Sequence, residues 1–242
     1  MMHFFRRSKI HLDCFTSRRD VIEYAPVVNG MDAIPEWWKK LPKESPVTYE
    51  MFPTATMKTC VGMYDYYNKS VAMPLWSDLR ININSKDDYN WKFSDHFSEC
   101  SPHNKAQYEG VLPNVNFAHL KIESPWLFNT KSDIHWLLSN PIYNQSCFGN
   151  YVMAQGLLNF SRQPATSLQL FLDASTPRNF TIPFGSVFLF TPMTDKKVVL
   201  HRQLISEEQY KSKATMSRMI TFINKYKNQQ KITKCPYKDN IK

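Results

Sequence analysis

Apolar and polar residues alternate in several short segments of this chain, which is the pattern of half-buried β-strands. The clearest is 79–84, and Tyr89–Phe93 follows it across the polar turn 85–88, so the two segments are predicted to pair as a hairpin. A first strand is predicted at Ile10–Thr16. Further strands are predicted at close intervals, at 117–122, 134–138, 151–160, 168–173, 179–190 and 196–204.

Helical patterns are short except near the C-terminal end. One turn is predicted within 34–42, where Pro35 suits the first helical position and Pro42 ends the turn. A longer helix is predicted from Ser206, because Ser206 and Gln209 match a capping box. Its apolar residues recur at helical spacing and are predicted to form one stripe buried against the sheet: Met216, Met219, Ile220 and Ile223.

Many strands at this spacing, with no long helix between them, predict a mainly β fold. The expected form is an antiparallel jelly-roll or cupin-like double-stranded β-helix barrel, with short N-terminal helices and one C-terminal amphipathic helix. Because no internal repeat is found, a single domain over 1–242 is predicted. Its parts are an N-terminal elaboration (1–70), a β-barrel core (71–205), a C-terminal helix (206–230) and a basic tail (231–242).

Composition narrows the class of protein. Of the 242 residues 43% are hydrophobic, enough for a packed core, and no apolar run approaches the roughly 20 residues of a membrane-spanning helix. The six glycines include no GxGxxG or GxxxxGK[ST] pattern, which removes the usual indication of a nucleotide-binding fold. The N-terminus has no apolar stretch of the kind found in signal peptides, so the sequence predicts a cytoplasmic protein without membrane contact.

The net charge of +9 is unevenly distributed. The excess basic residues fall in 1–20 and 205–242, whereas the segment between them is neutral. This favours a solvated helix face and tail, with weak nucleic-acid contact through the basic C-terminus as the alternative. The predicted interface residues are Lys225 and Lys227 in this segment and the adjacent Trp37 and Trp38, which cannot both face the core equally.

Seven histidines raise the question of a metal site. A facial-triad site for non-haem Fe(II) needs two histidines and one carboxylate. The one His-x-Asp triplet runs from His11 to Asp13, with His201 as the distant histidine. Because this triplet precedes most of the predicted barrel strands, it is expected to be poorly placed. Fe(II) or another divalent metal is therefore a candidate cofactor, and none is assigned.

Other chemistry is less well indicated. Asp95 and His96 with His103 form a second conceivable cluster, in a predicted loop. The chain has no GxSxG motif, and its five cysteines include no CxxC pair, so reduced structural thiols are expected and no catalytic residue is assigned. The pocket candidates are polar and aromatic residues that predicted strands carry to the mouth of the barrel: His201, Arg202, His119, Asp78 and Trp76.

The order of several phrases resembles an uncharacterised family carried by T4-like phages of marine cyanobacteria, with bacterial relatives that share a domain of unknown function. The phrases are 34–42 (IPEWWKKLP), 56–60 (TMKTC), 73–79 (MPLWSDL), 119–128 (HLKIESPWLF) and 182–185 (IPFG). The resemblance covers roughly 12–226 and contains no catalytic signature. It implies a phage-encoded protein with a cupin-like core, in the host cytoplasm or in the virion, and it implies no activity.

Two hypotheses follow. The favoured one is a binding or structural module, either a virion component or a protein that contacts a host protein. The alternative is a metal-dependent, oxygenase-like Fe(II) enzyme with its site in the barrel mouth. The absence of a well-placed His-x-Asp triplet favours the first, and whether the protein is an enzyme stays open.

Overall fold

The computed structural model describes residues 9–45, 54–103, 116–144 and 149–216, together with 219 and 223. Over these residues the fold is mainly β, as predicted. The strands are β1 (Ile10–Thr16), β2 (Val28–Asn29), β3 (Val71–Pro74), β4 (Leu79–Ile83), β5 (Tyr89–Phe93), β6 (Cys100–Pro102), β7 (Phe117–Asn129), β8 (Trp136–Ser139), β9 (Tyr151–Met153), β10 (Gly156–Leu158), β11 (Ala165–Asp173), β12 (Arg178–Ile182), β13 (Val187–Pro192) and β14 (Val198–Leu204).

Helices are short and lie mostly in the first third of the chain. They are α1 (Arg19–Tyr24), α2 (Glu36–Lys40), α3 (Val61–Lys69) and the C-terminal α4, which covers 207–216 and includes 219 and 223. Single 3₁₀ turns occupy Gly30–Ala33, Met57–Thr59 and Ile142–Asn144. The short helical turn predicted within 34–42 is confirmed as α2, with Pro35 as its N-cap.

The strands form three sheets. The largest has the order β14-β1-β7-β11-β9, with β6 also paired to β7. A five-stranded sheet has the order β10-β8-β13-β3-β2, and a three-stranded sheet has the order β12-β4-β5. All pairs are antiparallel except β1 with β14, which are parallel. The strands that the structure describes close no barrel, so the jelly-roll and cupin-like form of the fold is not confirmed.

The three sheets share one hydrophobic core. In β1 the side chains of Ile10, Leu12 and Cys14 are buried in this core, while His11 and Asp13 lie on the opposite face of the sheet. This alternation follows from the two-residue period of a strand. The six-stranded sheet therefore has an inner face toward the core and an outer face, which carries the sites described below.

A smaller core lies on the other side of the five-stranded sheet. It contains Leu189 of β13 and Ala72 of β3, and it is covered by Tyr67 and Met63 of α3 and by Trp38 of α2. Because both faces of this sheet are covered, β3 and the middle of β13 are apolar without alternation.

Most predicted strands are confirmed, but the one predicted at 117–122 continues to Asn129 as β7, and two others are each divided. The hairpin of 79–84 with Tyr89–Phe93 is present as β4 and β5. The predicted strand 151–160 is two strands, β9 and β10, in different sheets, and 179–190 likewise divides into β12 and β13. The second division lies at Gly185, whose φ of 81° is open to glycine and costly for other residues.

The capping box of α4 is confirmed, because the Gln209 amide donates to Ser206 Oγ (3.2 Å) and the Ser206 amide donates to Gln209 Oε1 (3.3 Å). The predicted buried stripe is wrong for the described residues: Met216, Met219 and Ile223 are 60%, 60% and 48% exposed. The helix instead contacts the sheet through residues nearer its N-terminus, Tyr210 and Lys213. Ile220, Lys225, Lys227 and the tail 231–242 lie outside the described residues.

Candidate functional site

A cleft of about 480 Å³ opens between the outer face of the six-stranded sheet and α4. It is called the acidic cleft below, for the three glutamates among its lining residues. These residues are Ser17, Arg18, Trp76, Phe97, Ser98, Glu99, Glu123, Ser124, Pro125, Leu127, Ala165, Thr166, Glu207, Tyr210 and Ala214.

One wall of the cleft is an irregularity in β7. Glu123 pairs with Ser167 of β11, and Leu127 pairs with Ala165. Between these two pairs the chain advances four residues in β7 but only two in β11, so β7 bulges. Pro125 lies in this bulge, where a residue without an amide hydrogen breaks the ladder at no cost. The Tyr210 hydroxyl of α4 donates to the Ser124 carbonyl at 3.2 Å, which fixes the helix over the bulge.

Another part of the lining is a network of hydrogen bonds around Ser98. Its hydroxyl donates to Asp95 (2.6 Å) and accepts from the Trp76 indole N–H (2.6 Å) and from Arg18 Nη1 (3.0 Å). Asp95 also accepts from the backbone amides of Ser98 and Phe97, both at 2.7 Å. Side-chain oxygens that bond to their own backbone two or three residues on are typical of tight turns. The turn therefore holds Ser98 between Trp76 and Arg18.

Charges in this network are paired. The Arg18 guanidinium, 14% exposed, contacts Asp20 at 2.5 Å and Asp95 at 3.5 Å. Burial by itself would lower the pKa of Arg18, but the two carboxylates raise it. Burial likewise opposes ionisation of Asp95, yet the bonds from Ser98 and the Phe97 amide, together with Arg18, leave its pKa below the ordinary value. Arg18 is therefore a neutralised structural cation with little charge left for a ligand.

The three glutamates of the cleft are less completely paired. Glu123 forms an ion pair with Lys121 and accepts from Ser167 at 3.1 Å. The Ser17 hydroxyl and, more weakly, Lys211 lower the pKa of Glu207. Glu99 lies beside Glu123, whose amide donates to the Glu99 carbonyl at 3.1 Å. Within the described part of the chain, the Glu99 carboxylate has neither an ion pair nor a hydrogen bond.

A second depression, of about 510 Å³, lies on the same sheet near the start of β1. It is called the histidine depression and is lined by Lys9, His11, Asp13, Thr130, Lys131, Ser132, His201 and Gln203. Asp13 is opposite His201 in the parallel ladder of β1 and β14. The prediction that the His11–Asp13 triplet is poorly placed is therefore wrong in one respect, because the first and last strands are neighbours. The side chains of His11 and Asp13 nevertheless point outward from the sheet, away from the core.

The two histidines contact each other directly. His11 Nδ1 and His201 Nε2 are 2.8 Å apart, with the rings 10° from parallel and their centres 5.1 Å apart. The centre separation exceeds the nitrogen separation by about two ring radii, so the rings lie edge to edge and share one N–H···N hydrogen bond. Across the described residues, no three His, Cys, Asp or Glu side chains are placed to hold one metal ion. A ready-made facial-triad site for Fe(II) is therefore not found in this region.

The other predicted pocket residues do not come together. Trp76 lines the acidic cleft and His201 the histidine depression, whereas Arg202, His119 and Asp78 line neither. Asp78 accepts a bond from the Phe184 amide at 2.7 Å in a loop. His119 is buried and stacks on His103 and Phe171, with ring centres 4.4 and 4.5 Å away.

The remaining candidates fall in separate places. Trp38 is buried in the smaller core with Lys58 over its ring, while Trp37 is 42% exposed and donates to the Tyr143 carbonyl at 3.0 Å. Of the Asp95, His96 and His103 cluster, Asp95 belongs to the cleft network and His103 to the stack on His119. They do not form one cluster.

Sequence reasoning did not find the roles of Arg18, Ser98 and Glu99. An available signal was the Asp95 to Ser98 spacing, which is typical of a turn closed by the aspartate. The pairing of that turn with Arg18 joins residues 80 positions apart, and no local pattern reports it.

Comparisons with protein-family models, curated proteins and solved structures found no match to this chain. The resemblance to a phage family therefore stays a prediction. Among the described helices, none has the length and apolar character to cross a bilayer.

Proposed function

We propose that this protein is a binding module and that the acidic cleft holds a positively charged side chain of a protein partner, lysine or arginine. The observation that carries the proposal is the Glu99 carboxylate, which lines the cleft and has no ion pair with any residue that the structure describes. Among the described lining residues the one cation is Arg18, which is already held by Asp20 and Asp95.

The aromatic lining supports the same ligand. Phe97 is 78% exposed at the cleft, with the Arg18 guanidinium 5.7 Å from its ring centre, and the partly exposed Tyr210 supplies further ring surface, whereas Trp76 is buried. A cation next to an aromatic ring gains energy from the negative face of the ring, about 0.5–1 kcal/mol at exposed sites. The apolar stems of lysine and arginine pack on such rings while their charged ends reach a carboxylate.

The binding surface is also held in place before a ligand arrives. Ser98 is fixed by its bonds to Asp95, Trp76 and Arg18, and Tyr210 ties α4 to Ser124. A site whose groups are already ordered loses less entropy on binding. The jelly-roll or cupin-like classification and the phage origin stay predictions, and the cleft does not depend on them.

The experiment uses ¹⁵N-labelled protein and short peptides containing Arg-Arg, Lys-Lys or Glu-Glu. The indole N–H signal of Trp76, assigned with a Trp76→Phe variant, reports on the cleft. Basic peptides are expected to shift this signal and to bind more weakly as salt rises, since screening weakens exposed charge pairs. The Glu-Glu peptide is expected to leave it unchanged.

Glu99→Gln is expected to raise the Kd about fivefold, because a partly exposed ion pair contributes at most about 1 kcal/mol. Glu208→Gln is the matched control, since Glu208 lies on α4 but does not line the cleft. Equal binding of acidic and basic peptides, or equal effects of the two variants, would contradict the proposal.

A further inference from the structure

The histidine depression offers a site of a different kind, independent of the cleft. His11 is exposed on β1 and His201 is partly exposed on β14, and both strands are fixed by a ladder running the length of β1. The two nitrogens that meet are 2.8 Å apart. The distance therefore depends on the backbone register and on two short side chains.

That distance has a chemical meaning. Two imidazole nitrogens bound at about 2.0–2.1 Å in adjacent positions of a square or octahedral metal are about 2.9 Å apart, whereas a tetrahedral ion spreads them to about 3.3–3.4 Å. Cu(II) and Ni(II) favour square or tetragonal sites with nitrogen ligands, and Zn(II) favours tetrahedral ones. The observed 2.8 Å separation fits the first arrangement.

We propose that His11 and His201 form a two-imidazole site for one Cu(II) or Ni(II) ion. The ion takes the place of the proton between the two nitrogens, and that proton moves to the other ring nitrogen of the donating histidine, so both imidazoles stay neutral. Each ring turns about its Cβ–Cγ bond so that the two lone pairs converge on the metal. Since no third protein ligand is in place within the described residues, water fills the remaining positions. Asp13, opposite His201 in the ladder, supplies a nearby negative charge.

The charged residues around the two histidines make an anion the competing ligand for this site. Lys9 and Lys131 line the same depression and oppose a cation, while Asp13 favours one. Two ammonium groups beside two imidazoles are also a set of donors that suits an oxyanion. Inorganic phosphate is therefore the second probe, and a phosphate site would replace the metal site.

The test is titration of the untagged full chain, stripped with a chelator, with Cu(II), Ni(II), Zn(II) or inorganic phosphate. One Cu(II) per chain is expected, with a nitrogen-split electron paramagnetic resonance signal from two imidazoles. Cu(II) and Ni(II) are expected to bind more tightly than Zn(II). The melting temperature is expected to rise with Cu(II), because an ion bound to the native state alone stabilises it.

His11→Ala and His201→Ala are each expected to weaken Cu(II) binding at least tenfold and to remove the two-nitrogen signal. His135→Ala is the matched control, since His135 is exposed and lies outside the depression, and it is expected to bind as the parent does. Tighter binding of Zn(II) than of Cu(II), equal binding by all three variants, or a response to phosphate alone would overturn the proposal.

Discussion

The two ends of β7 each lie beside a pair of histidines, and the pairs differ in burial and in how the two rings meet. At the start of the strand, the ring of His119 is buried face to face between His103 and Phe171. Beyond its end, Thr130 lines the depression where His11 and His201 meet edge to edge at the surface.

The difference shows that proximity of two imidazoles does not by itself make a site. In the stacked pair one ring lies over the other, so the in-plane lone pairs of the two rings cannot converge on one ion. In the edge-to-edge pair the two nitrogens meet across one hydrogen bond, and a turn of each ring brings their lone pairs onto one ion. Burial also separates the two: desolvation, and then the neighbouring His103, lower the pKa of His119 to about 4. The acidic cleft lies between them on β7 and is partly buried.

The largest expected effect concerns the buried pair. A histidine whose pKa is about 4 in the folded state and 6.5 when exposed takes up its proton more readily in the unfolded chain. Stability is therefore complete above pH 6.5 and declines as pH falls toward 4, with a loss of about 2 kcal/mol between pH 7.5 and pH 5. Urea unfolding at several pH values measures it.

His119→Phe keeps a ring in the stack and is expected to remove most of this pH dependence. His96→Gln is the control, because His96 is exposed, and it should leave the dependence as it is. If His119→Phe does not fold, the chemical shift of the His119 ring in the parent chain gives the same answer. A midpoint near 6.5 would contradict the prediction.

An intermediate effect is expected in the cleft. Arg18→Ala removes a guanidinium that is 14% exposed and leaves Asp95 without its cation. A loss of about 1.5 kcal/mol is expected, since charged hydrogen bonds of this kind contribute about 1.5–3 kcal/mol before relaxation. Arg19→Ala is a neighbouring control: Arg19 is 78% exposed and pairs only at 3.7 Å with Glu23. Equal losses for both variants in thermal or urea unfolding would show that the network is not rigid.

The distance along the chain between interacting residues decides which features could be predicted from the sequence. The β4 and β5 hairpin follows from alternation and a polar turn, because its partners are close in the chain. The capping box of α4 is local as well. Residue type alone marks His11, Asp13 and His201 as one chemical set, but their order in the chain argues against a shared place in the fold. The parallel pairing of the first and last strands, which brings them together, leaves no local signal.

Other errors have local physical causes. The segment 179–190 looks continuous in hydropathy, and the turn at Gly185 that divides it depends on one backbone angle. In α4 the apolar spacing of Met216, Met219 and Ile223 suggested the buried face, but Tyr210 and Lys213 make the contacts, with Lys213 over the ring of Phe15. Long polar side chains with apolar stems compete with apolar ones for a partly open surface.

The smallest expected effect concerns the exposed pair. In the presence of a chelator, the double variant His11→Ala with His201→Ala is expected to lose no more than about 0.5 kcal/mol, because exposed side chains with one mutual hydrogen bond contribute little. Urea unfolding of the double variant and of Arg18→Ala under the same conditions compares the two losses of stability. A loss above that of Arg18→Ala would mean that the pair holds β14 to β1 without any metal, and the edge-to-edge contact would then be structural.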